Sequence, residues 1–534
     1  MYKSLNLRLW SLGLLVVCIG LFIRFWRITD NQFLFYDEGM YLGYNRNFLD
    51  LVTANPPKSI HELFIILGLM FKTALGTAKA LWFFLLNLRV FFVGSQDWYF
   101  ARIISAVAGV LTIILTYFFA NRYFQSRKIA IFSVIFLTFL PSHVFYSRLG
   151  MQESLSALLF LSALYLYLFY KPLSLLTLIS ALLLSFLFLT NYRMIISPIF
   201  IIAIEIFEAN KNREAINWKK LWVHIAVFSF VVFFIGSLYK GINRYVTFGW
   251  MFHQAQEAQG QRNLISFFSY PYYVIALEGV LFAYLFWENI YLIFRKQWLK
   301  LLPFILVLLQ MAIFSFAAEK GARYLCVVLP LMTMAAAVSV ERHLDSSYKK
   351  YVIPLIVLVC LIMGIQSLRI ANSSTDYAQA VALVLNHDPK AKILSTQALT
   401  EALYIQNEND IKECPKNSGD FVELYKAGYH YLILDPQAYI SWTKDAQRFS
   451  PPLIDFLEFI HANVPPIATL KHLNGLLLKR LVLDHNQNLP QSIGFLNSAQ
   501  GQGYGQIRIY DIGQCLMLLK MHAMQTSSAD YGGS

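Results

Sequence analysis

Residues 100–120 read FARIISAVAGVLTIILTYFFA, an apolar run with a single charged side chain, Arg102. A helix of this length rises about 30 Å, which matches the hydrocarbon core of a membrane. Apolar runs of similar length recur through the first 370 residues. The sequence therefore predicts a polytopic α-helical membrane protein with about 11–13 transmembrane helices.

The composition supports this class. The 534 residues are 57% hydrophobic and only 14% charged, whereas a soluble domain carries about a quarter charged residues. A disordered protein, a disulfide scaffold and an ordinary cytosolic enzyme are excluded. Eleven spans are predicted, at 8–28, 100–120, 129–147, 154–170, 173–190, 194–208, 221–239, 271–294, 300–318, 323–340 and 351–370. Segments 60–76 and 78–94 contain lysine or arginine and are ambiguous between spans and helices that lie in the interface, and the interfacial or re-entrant interpretation is favoured.

The charge distribution predicts the orientation. Residues 1–372 carry a net charge of +16 and residues 373–534 a net charge of −3. With a cytoplasmic N-terminus, the inner loops are 121–128, 171–172, 209–220, 295–299 and 341–350, and each contains lysine or arginine. Loop 29–99 and the whole region after residue 370 then lie outside. The tail has no basic stripe with interleaved aromatics, so a nucleic-acid partner is not predicted.

The polar tail, residues 373–534, is predicted to be a small extracytoplasmic α/β domain. Strand-like runs at 392–395, 429–434, 476–482 and 507–512 alternate with helix-like stretches such as 376–386. Residues 1–372 then form the multi-pass transmembrane domain. In an oxidising outer compartment, Cys414 and Cys515 of the tail are candidates for a disulfide bond.

Two adjacent carboxylates, Asp37 and Glu38, follow the first span in an apolar and aromatic setting. Placing a carboxylate in an apolar setting costs free energy unless water solvates it, a cation pairs with it, or the protein uses it in its function. A carboxylate here can act as a general base toward an incoming hydroxyl or amine. Neighbouring side chains on a helix point about 100° apart. One of the two carboxylates can therefore face a reacting group while the other faces the residues that support the helix. The alternative is a solvated pair, or a favourable charge at the start of a helix.

Several charged side chains lie at predicted outer ends of spans. They are Arg148, Glu153, Arg193, Lys320 and Arg323, with Tyr324 beside the last and Arg102 as a further candidate. Arginine suits phosphate because its planar fork donates two parallel hydrogen bonds. The alternatives are an Arg148–Glu153 ion pair and snorkelling of the cations to lipid headgroups. The acids at the midplane are scattered, which argues against an ion-coupled transporter.

These motifs occur in a recognisable order. A first span precedes the Asp37-Glu38 loop, followed by residues 101–124, by SRLGMQESLSALLF (147–160) and by ARYLCVVLPLMTMAAA (322–337), with an α/β tail at the end. The chain thus resembles bacterial GT-C glycosyltransferases of the glycosyltransferase family 39 type, which include protein O-mannosyltransferases and the aminoarabinose transferase of lipid A.

The resemblance implies a plasma (inner) membrane enzyme that moves a sugar from a polyprenyl-phosphate donor to a protein, lipid or glycan. It implies Asp37 as the catalytic acid residue with Glu38 beside it, and Arg148 with Glu153 as a basic and acidic motif. It also places Arg323 and Tyr324 at the donor phosphate, and we assign Arg148, Arg193 and Lys320 to the same donor-phosphate-binding set. No cofactor besides the lipid-linked sugar is implied, and a divalent metal is left open.

One motif departs from the family pattern. The first loop has Ala54-Asn55-Pro56-Pro57-Lys58 where aminoarabinose-transferase-like members carry Glu-Lys-Pro-Pro, which puts lipid A as acceptor in doubt. Two other classes are kept as alternatives. One is a flippase or transporter of lipid-linked glycans, and the other is a non-catalytic membrane component of a cell-envelope assembly.

Overall fold

A computed structural model describes the chain apart from residues 1, 30–35, 44–45, 76, 78, 94–98, 171–173, 214, 239–263, 296, 318–319, 348, 406, 416, 418, 436–450, 472–474, 485–487, 503–504 and 531–534. Its contacts divide it into two compact units. The first unit comprises Met1–Thr29 and Tyr44–Asn372, and the second comprises Asp30–Gly43 and Ser373–Ser534. The segment with Asp37 and Glu38 therefore belongs to the same unit as the C-terminal region.

Helices are numbered along the chain. As far as residue 148 they are α1 (Tyr2–Phe25), α2 (Tyr36–Gly43), α3 (Arg46–Ala54), α4 (Ile60–Leu75), α5 (Ala80–Asn87), α6 (Tyr99–Phe124), α7 (Arg127–Phe139) and α8 (Pro141–Arg148). From residue 153 to residue 371 they are α9 (Glu153–Phe169), α10 (Leu175–Thr190), α11 (Ser197–Asn212), α12 (Trp218–Leu238), α13 (Ser269–Tyr273), α14 (Val280–Trp287), α15 (Ile290–Phe294), α16 (Leu302–Ser315), α17 (Leu329–Leu344) and α18 (Lys349–Ala371). All of these except α2 lie in the first unit.

Among the described residues, three helical segments are long and apolar enough to cross a membrane: Tyr99–Phe124, Ala322–Leu344 and Lys349–Ala371. The pair α7 and α8, bent by 57°, makes a fourth if it is one span. The other apolar helices of this unit are shorter, and a 16-residue helix such as α10 rises only about 24 Å. The number of spans stays a prediction.

Proline explains several of the interruptions. Helices α8, α11, α16 and α17 each have a proline in the first turn, where its missing N–H costs no helical hydrogen bond. The 3₁₀ turns Tyr192–Ile196 and Ala322–Val328 lead directly into α11 and α17. These two turns carry predicted site residues, which therefore lie directly before helices that begin with a proline in the first turn.

The ambiguous segments between residues 60 and 94 form two helices. Helix α4 packs against α5, which continues into the 3₁₀ turn Leu88–Phe91. Helix α4 exposes Phe64, Ile65 and Leu69. A large exposed apolar surface is typical of a helix in contact with lipid.

The second unit contains a five-stranded sheet made of β1 (Lys392–Ser395), β2 (Ile411–Glu413), β3 (Tyr429–Leu434), β4 (Ala468–Lys471) and β5 (Gln506–Asp511), in the order β2-β1-β3-β5-β4. Strand β1 is parallel to β2 and β3, and β5 is antiparallel to β3 and β4. Its helices are α2 with α19 (Tyr377–His387), α20 (Ala398–Glu401), α21 (Asp420–Lys426), α22 (Pro451–Asn463), α23 (Gly475–Asp484), α24 (Leu489–Gln502) and α25 (Ile512–Asp530). The unit is an α/β fold.

The strand prediction at 476–482 was wrong, because this stretch lies within helix α23. Leu477, Leu478, Leu481 and Val482 are buried, and their spacing places them on one face of a helix. A short apolar run does not distinguish a strand from a buried helix by itself. Strands β2 and β4 were not predicted, since they are only three and four residues long and expose about half of their side chains.

The proposed disulfide bond is absent. Cys414 and Cys515 are free thiols that lie in one buried apolar cluster with Leu432, Phe421 and Tyr510. Burial raises the pKa of Cys515 to about 12 and that of Cys414 well above its usual range. Both thiols therefore stay protonated and pack as small apolar groups.

Candidate active site

The two adjacent carboxylates lie in the first turn of α2 and have different environments. Glu38 is fully buried, whereas Asp37 is half-buried. Tyr41 and Leu42, three and four residues after Glu38, are buried as well. One face of α2 is therefore packed, and Asp37 lies at the edge of that face.

A cluster of cations and one aromatic ring lies in the first unit. The guanidinium carbon of Arg193 is 4.5 Å from the centre of the Tyr324 ring, and that of Arg323 is 5.9 Å from the same centre. Both distances fall within the range of a cation–π contact. Arg323 and Tyr324 are buried and Arg193 is half-buried. The structure thus brings Arg193 next to the adjacent pair Arg323 and Tyr324, which lies far away in the sequence, and we call these three residues the Tyr324 cluster.

Neighbouring helices hold the Tyr324 cluster in place. The side-chain amide of Gln310 in α16 donates to the Tyr324 carbonyl at 2.8 Å. Lys320, just before this 3₁₀ turn, is buried and donates from Nζ to the Ala317 carbonyl at 2.9 Å. Its own carbonyl accepts a hydrogen bond from the Tyr273 hydroxyl at 2.5 Å. Lys320 therefore lies close in sequence to the cluster with its ammonium group held by the backbone.

Arg148 holds the ends of two helices. Its Nη1 donates to the carbonyls of Ile23 and Arg24 at 2.9 and 3.0 Å, and its Nη2 donates to the Ala371 carbonyl at 3.1 Å. These carbonyls belong to the last turns of α1 and α18, where no helical N–H remains to bind them. The hydrogen bonds give Arg148 a structural role, and its contact with a donor phosphate stays a prediction.

We expect Arg148→Ala to destabilise the folded protein by about 1.5–3 kcal/mol, because a charged donor is removed from buried carbonyls. The measurement is the melting temperature in detergent, with Arg148→Lys as a partial replacement. Binding of polyprenyl phosphate by the folded variant is measured as well, because the sequence-based prediction that Arg148 contacts the donor phosphate requires this affinity to fall. A variant that melts like the wild type but binds the lipid more weakly would contradict the structural role.

Glu153 and Arg102 are both buried. Glu153 lies in the first turn of α9, where a negative charge is favourable, and it accepts a hydrogen bond from the Gln152 side chain at 3.1 Å. Arg102 lies near the start of α6. Both side chains are thus buried near the start of a helix, and their part in the active site stays a prediction.

Sequence reasoning missed the role of Arg24 and His143. Arg24 is fully buried; it donates to the carbonyls of Leu137 and Thr138 at 3.3 and 3.4 Å and lies 2.5 Å from Nδ1 of His143. Those carbonyls end α7, and the break before Pro141 removes their usual donors. An arginine directly after a long apolar run was the available signal.

Glu278 is one of the scattered acids within the predicted spans, and the sequence alone gave it no role. It closes the π-helical segment Val274–Glu278, and its carboxylate accepts from the backbone N–H and the hydroxyl of Ser142. Gly279 follows at φ +97°, a conformation that favours glycine. A small cavity beside Glu278 is also lined by Tyr273, Ala322 and Leu325. The carboxylate therefore lies near the 3₁₀ turn of the Tyr324 cluster, and only the fold brings them together.

In the part of the chain that the structure describes, no group of three or more His, Cys, Asp or Glu side chains is arranged to hold a metal ion. The sequence left a divalent metal open, and this observation does not change that.

Comparisons with known proteins agree with this fold. The family model for dolichyl-phosphate-mannose-protein mannosyltransferase matches residues 79–239, which include Arg148, Glu153 and Arg193. The chain is similar to the crystal structure of ArnT from Cupriavidus metallidurans in the apo state, with 14% identity, a TM-score of 0.52, and coverage of 83% of this chain and 95% of that chain. The ArnT structure bound to undecaprenyl phosphate is 15% identical, with a TM-score of 0.49 and coverage of 81% and 94%. No curated protein sequence matches.

The chain is a multi-pass α-helical membrane protein with a fold like that of ArnT. The resemblance to GT-C glycosyltransferases of the glycosyltransferase family 39 type, predicted from the order of the motifs, is confirmed by the family model and the structural match.

Proposed function

We propose that this chain is a membrane glycosyltransferase that moves a sugar from a polyprenyl-phosphate donor to an acceptor on the outer face of the plasma membrane. The observation that carries the proposal is the Tyr324 cluster, in which two arginines flank one aromatic ring. The matching family description names dolichyl-phosphate mannose, a sugar on a polyprenyl phosphate. The cluster has the charge and the hydrogen-bond donors that such a donor requires.

In the proposed donor complex, Arg193 and Arg323 bind the lipid phosphate through their guanidinium groups. Charge-assisted bonds from arginine to phosphate are shorter and stronger than neutral hydrogen bonds, and they fix the orientation of the group. Lys320 adds positive charge, and the Tyr324 ring keeps the arginine planes in place. The lipid tail is expected to lie along the apolar surface of the helices.

The proposed transfer is a single displacement. Asp37 accepts the proton of the acceptor hydroxyl or amine as that atom bonds to the anomeric carbon. The bond between this carbon and the phosphate oxygen breaks, and both its electrons leave with the lipid phosphate. The phosphate gains negative charge, which the arginines stabilise in the transition state. Attack opposite the leaving group inverts the anomeric centre, and Glu38 supports the helix that carries Asp37.

The outer-face placement is tested by topology. A reporter fused after residue 375 is expected to give an extracytoplasmic signal, because every predicted inner loop carries lysine or arginine. Fusions in the loop at 121–128 serve as the cytoplasmic control. A cytoplasmic signal at residue 375 would show that one span was miscounted. The region 60–94, whose two segments are ambiguous, would then be re-examined first.

The proposed activity is tested in cells with and without the gene. Mass spectrometry of cell-surface lipids, glycans and proteins is expected to show one class that loses a sugar in the deletion strain and regains it on complementation. The mass lost identifies the sugar, and the affected class identifies the acceptor. If every class is unchanged, the proposed function is refuted.

A further inference from the structure

The strand order of the second unit's sheet reverses at the position where open α/β sheets commonly bind ligands. The chain leaves β1 for β2 on one side and then crosses to β3 on the other side. In open α/β sheets, a ligand binds at the carboxyl ends of the strands, at the point where the strand order reverses. In this unit that point lies between β1 and β3, at the residues that follow Ser395 and Leu434.

Here the chain's own side chains fill that edge. The Asp435 backbone N–H after β3 donates to the Thr396 hydroxyl after β1 at 2.7 Å. The Tyr377 hydroxyl donates to the Asp435 carboxylate. Glu401 is fully buried nearby, and this burial raises the pKa of its carboxyl group well above the usual range. These contacts describe a packed interior.

Helix α2 packs against α20, the short helix that directly follows this edge. The contact is very close at Gly39. A Cβ atom built on Gly39 would lie 2.4 Å from the Thr400 hydroxyl oxygen and 2.7 Å from the Thr400 Cα. Real Cβ contacts essentially never fall below 3.0 Å. Only glycine therefore fits, and the two backbones meet directly.

The contact lies two residues from the proposed base. Glu38, Gly39, Tyr41 and Leu42 are buried, while Asp37 at the edge of the same face keeps part of its surface exposed. We propose that Gly39 and Thr400 are positioning residues for Asp37, so that the C-terminal α/β unit, through the helix that follows β1, holds the helix that carries the catalytic carboxylate. This inference rests on the proposed function, because it concerns the placement of its base.

The placement of a base matters for rate more than for binding. A displacement of about 1 Å in a catalytic group can cost about a hundredfold in turnover. A carboxylate on a packed helix is held more rigidly than one on a free loop. The α/β unit then contributes to turnover through the orientation of Asp37, while donor binding by the Tyr324 cluster does not require it.

The test compares two glycine variants of the full chain in detergent. Gly39→Ala places a methyl group against Thr400, whereas Gly43→Ala, on the same helix, meets nothing within 4 Å and is the matched control. Hydrogen exchange of residues 36–43 is expected to rise in Gly39→Ala only, because this helix loses its packing. In deletion cells, Gly39→Ala is expected to restore the missing sugar at least about tenfold more slowly than Gly43→Ala, with unchanged binding of polyprenyl phosphate.

A milder variant covers the case in which Gly39→Ala does not fold. Thr400→Val replaces the hydroxyl that faces Gly39 with a methyl group, and a smaller rise in exchange over residues 36–43 is expected. Unchanged exchange in both folded variants would overturn the docking of α2. Raised exchange with normal sugar transfer would overturn the positioning role. Failure of the proposed function itself is recognised separately, because no surface class then loses a sugar in the deletion strain, and failure of the base assignment is recognised by full transfer in a chain with Asp37→Asn.

Discussion

Replacing Asp37 with asparagine is expected to lower sugar transfer by about 10²- to 10⁴-fold, the range that one general base contributes. Asparagine has the same shape as aspartate but cannot accept the acceptor's proton. The chain should still fold, because Asp37 keeps part of its surface exposed. Binding of polyprenyl phosphate should not change, since the base acts only after the donor is bound. The measurement is the amount of sugar restored on the affected class in deletion cells.

The matched control is Asp50→Asn on the next helix. Asp50 is half-buried, and its carboxylate lies 4.0 Å from the Arg46 side chain. It therefore has the same charge as Asp37 and a similar degree of burial. The Asp50→Asn variant should transfer sugar at nearly the wild-type rate. If Asp37→Asn behaves like this control, Asp37 is not the base. In that case, a flippase or transporter of lipid-linked glycans becomes the better explanation, because such a protein needs no proton acceptor there.

Replacing Arg323 with alanine is expected to weaken the binding of polyprenyl phosphate about ten- to hundredfold, which corresponds to about 1.5–3 kcal/mol for a charge-assisted contact. Turnover should fall as well, because the leaving phosphate gains charge in the transition state. Arg193→Ala should behave similarly, since both guanidinium groups flank Tyr324. Lysine at either position should restore binding only in part, since it lacks the planar fork.

Arg122 offers a matched control for this experiment. Its guanidinium carbon also lies over an aromatic ring, 4.6 Å from the centre of Phe169, but at the end of α6 that is predicted to face the cytoplasm. Arg122→Ala removes the same charge and a similar cation–π contact. The Arg122→Ala variant should bind polyprenyl phosphate with the same affinity as the wild type. Unchanged affinity in both Arg193→Ala and Arg323→Ala would refute the donor-binding role of the Tyr324 cluster.

The local patterns of the sequence predicted much of the fold. The helical membrane character followed from apolar runs such as 100–120, because an apolar side chain has the same preference for lipid wherever it lies in the chain. Strands β1, β3 and β5 were predicted from short apolar runs. Helix α23 was mistaken for a strand because leucine-rich runs of seven residues satisfy both periods.

The candidate residues were also chosen from sequence, but their partners were not. Arg193, Arg323 and Tyr324 were selected as charged or aromatic residues at the outer ends of spans. The sequence did not show that the two arginines share one ring, since they are far apart in the chain and meet only where α11 and α17 begin. Arg148 looked equivalent to them, yet its side chain binds the carbonyls that end α1 and α18. Those carbonyls need a donor only because the helices end there.

The sequence by itself determined the class of protein, the apolar helices and the identity of the charged residues, since all three depend on side-chain chemistry and short-range periodicity. Only the tertiary structure decided which compact unit holds Asp37. The sequence places residues 30–43 in a loop of the membrane domain, whereas their contacts assign them to the C-terminal unit. The physical reason is the close packing of Gly39 on Thr400, a contact across some 360 residues that no local pattern can encode.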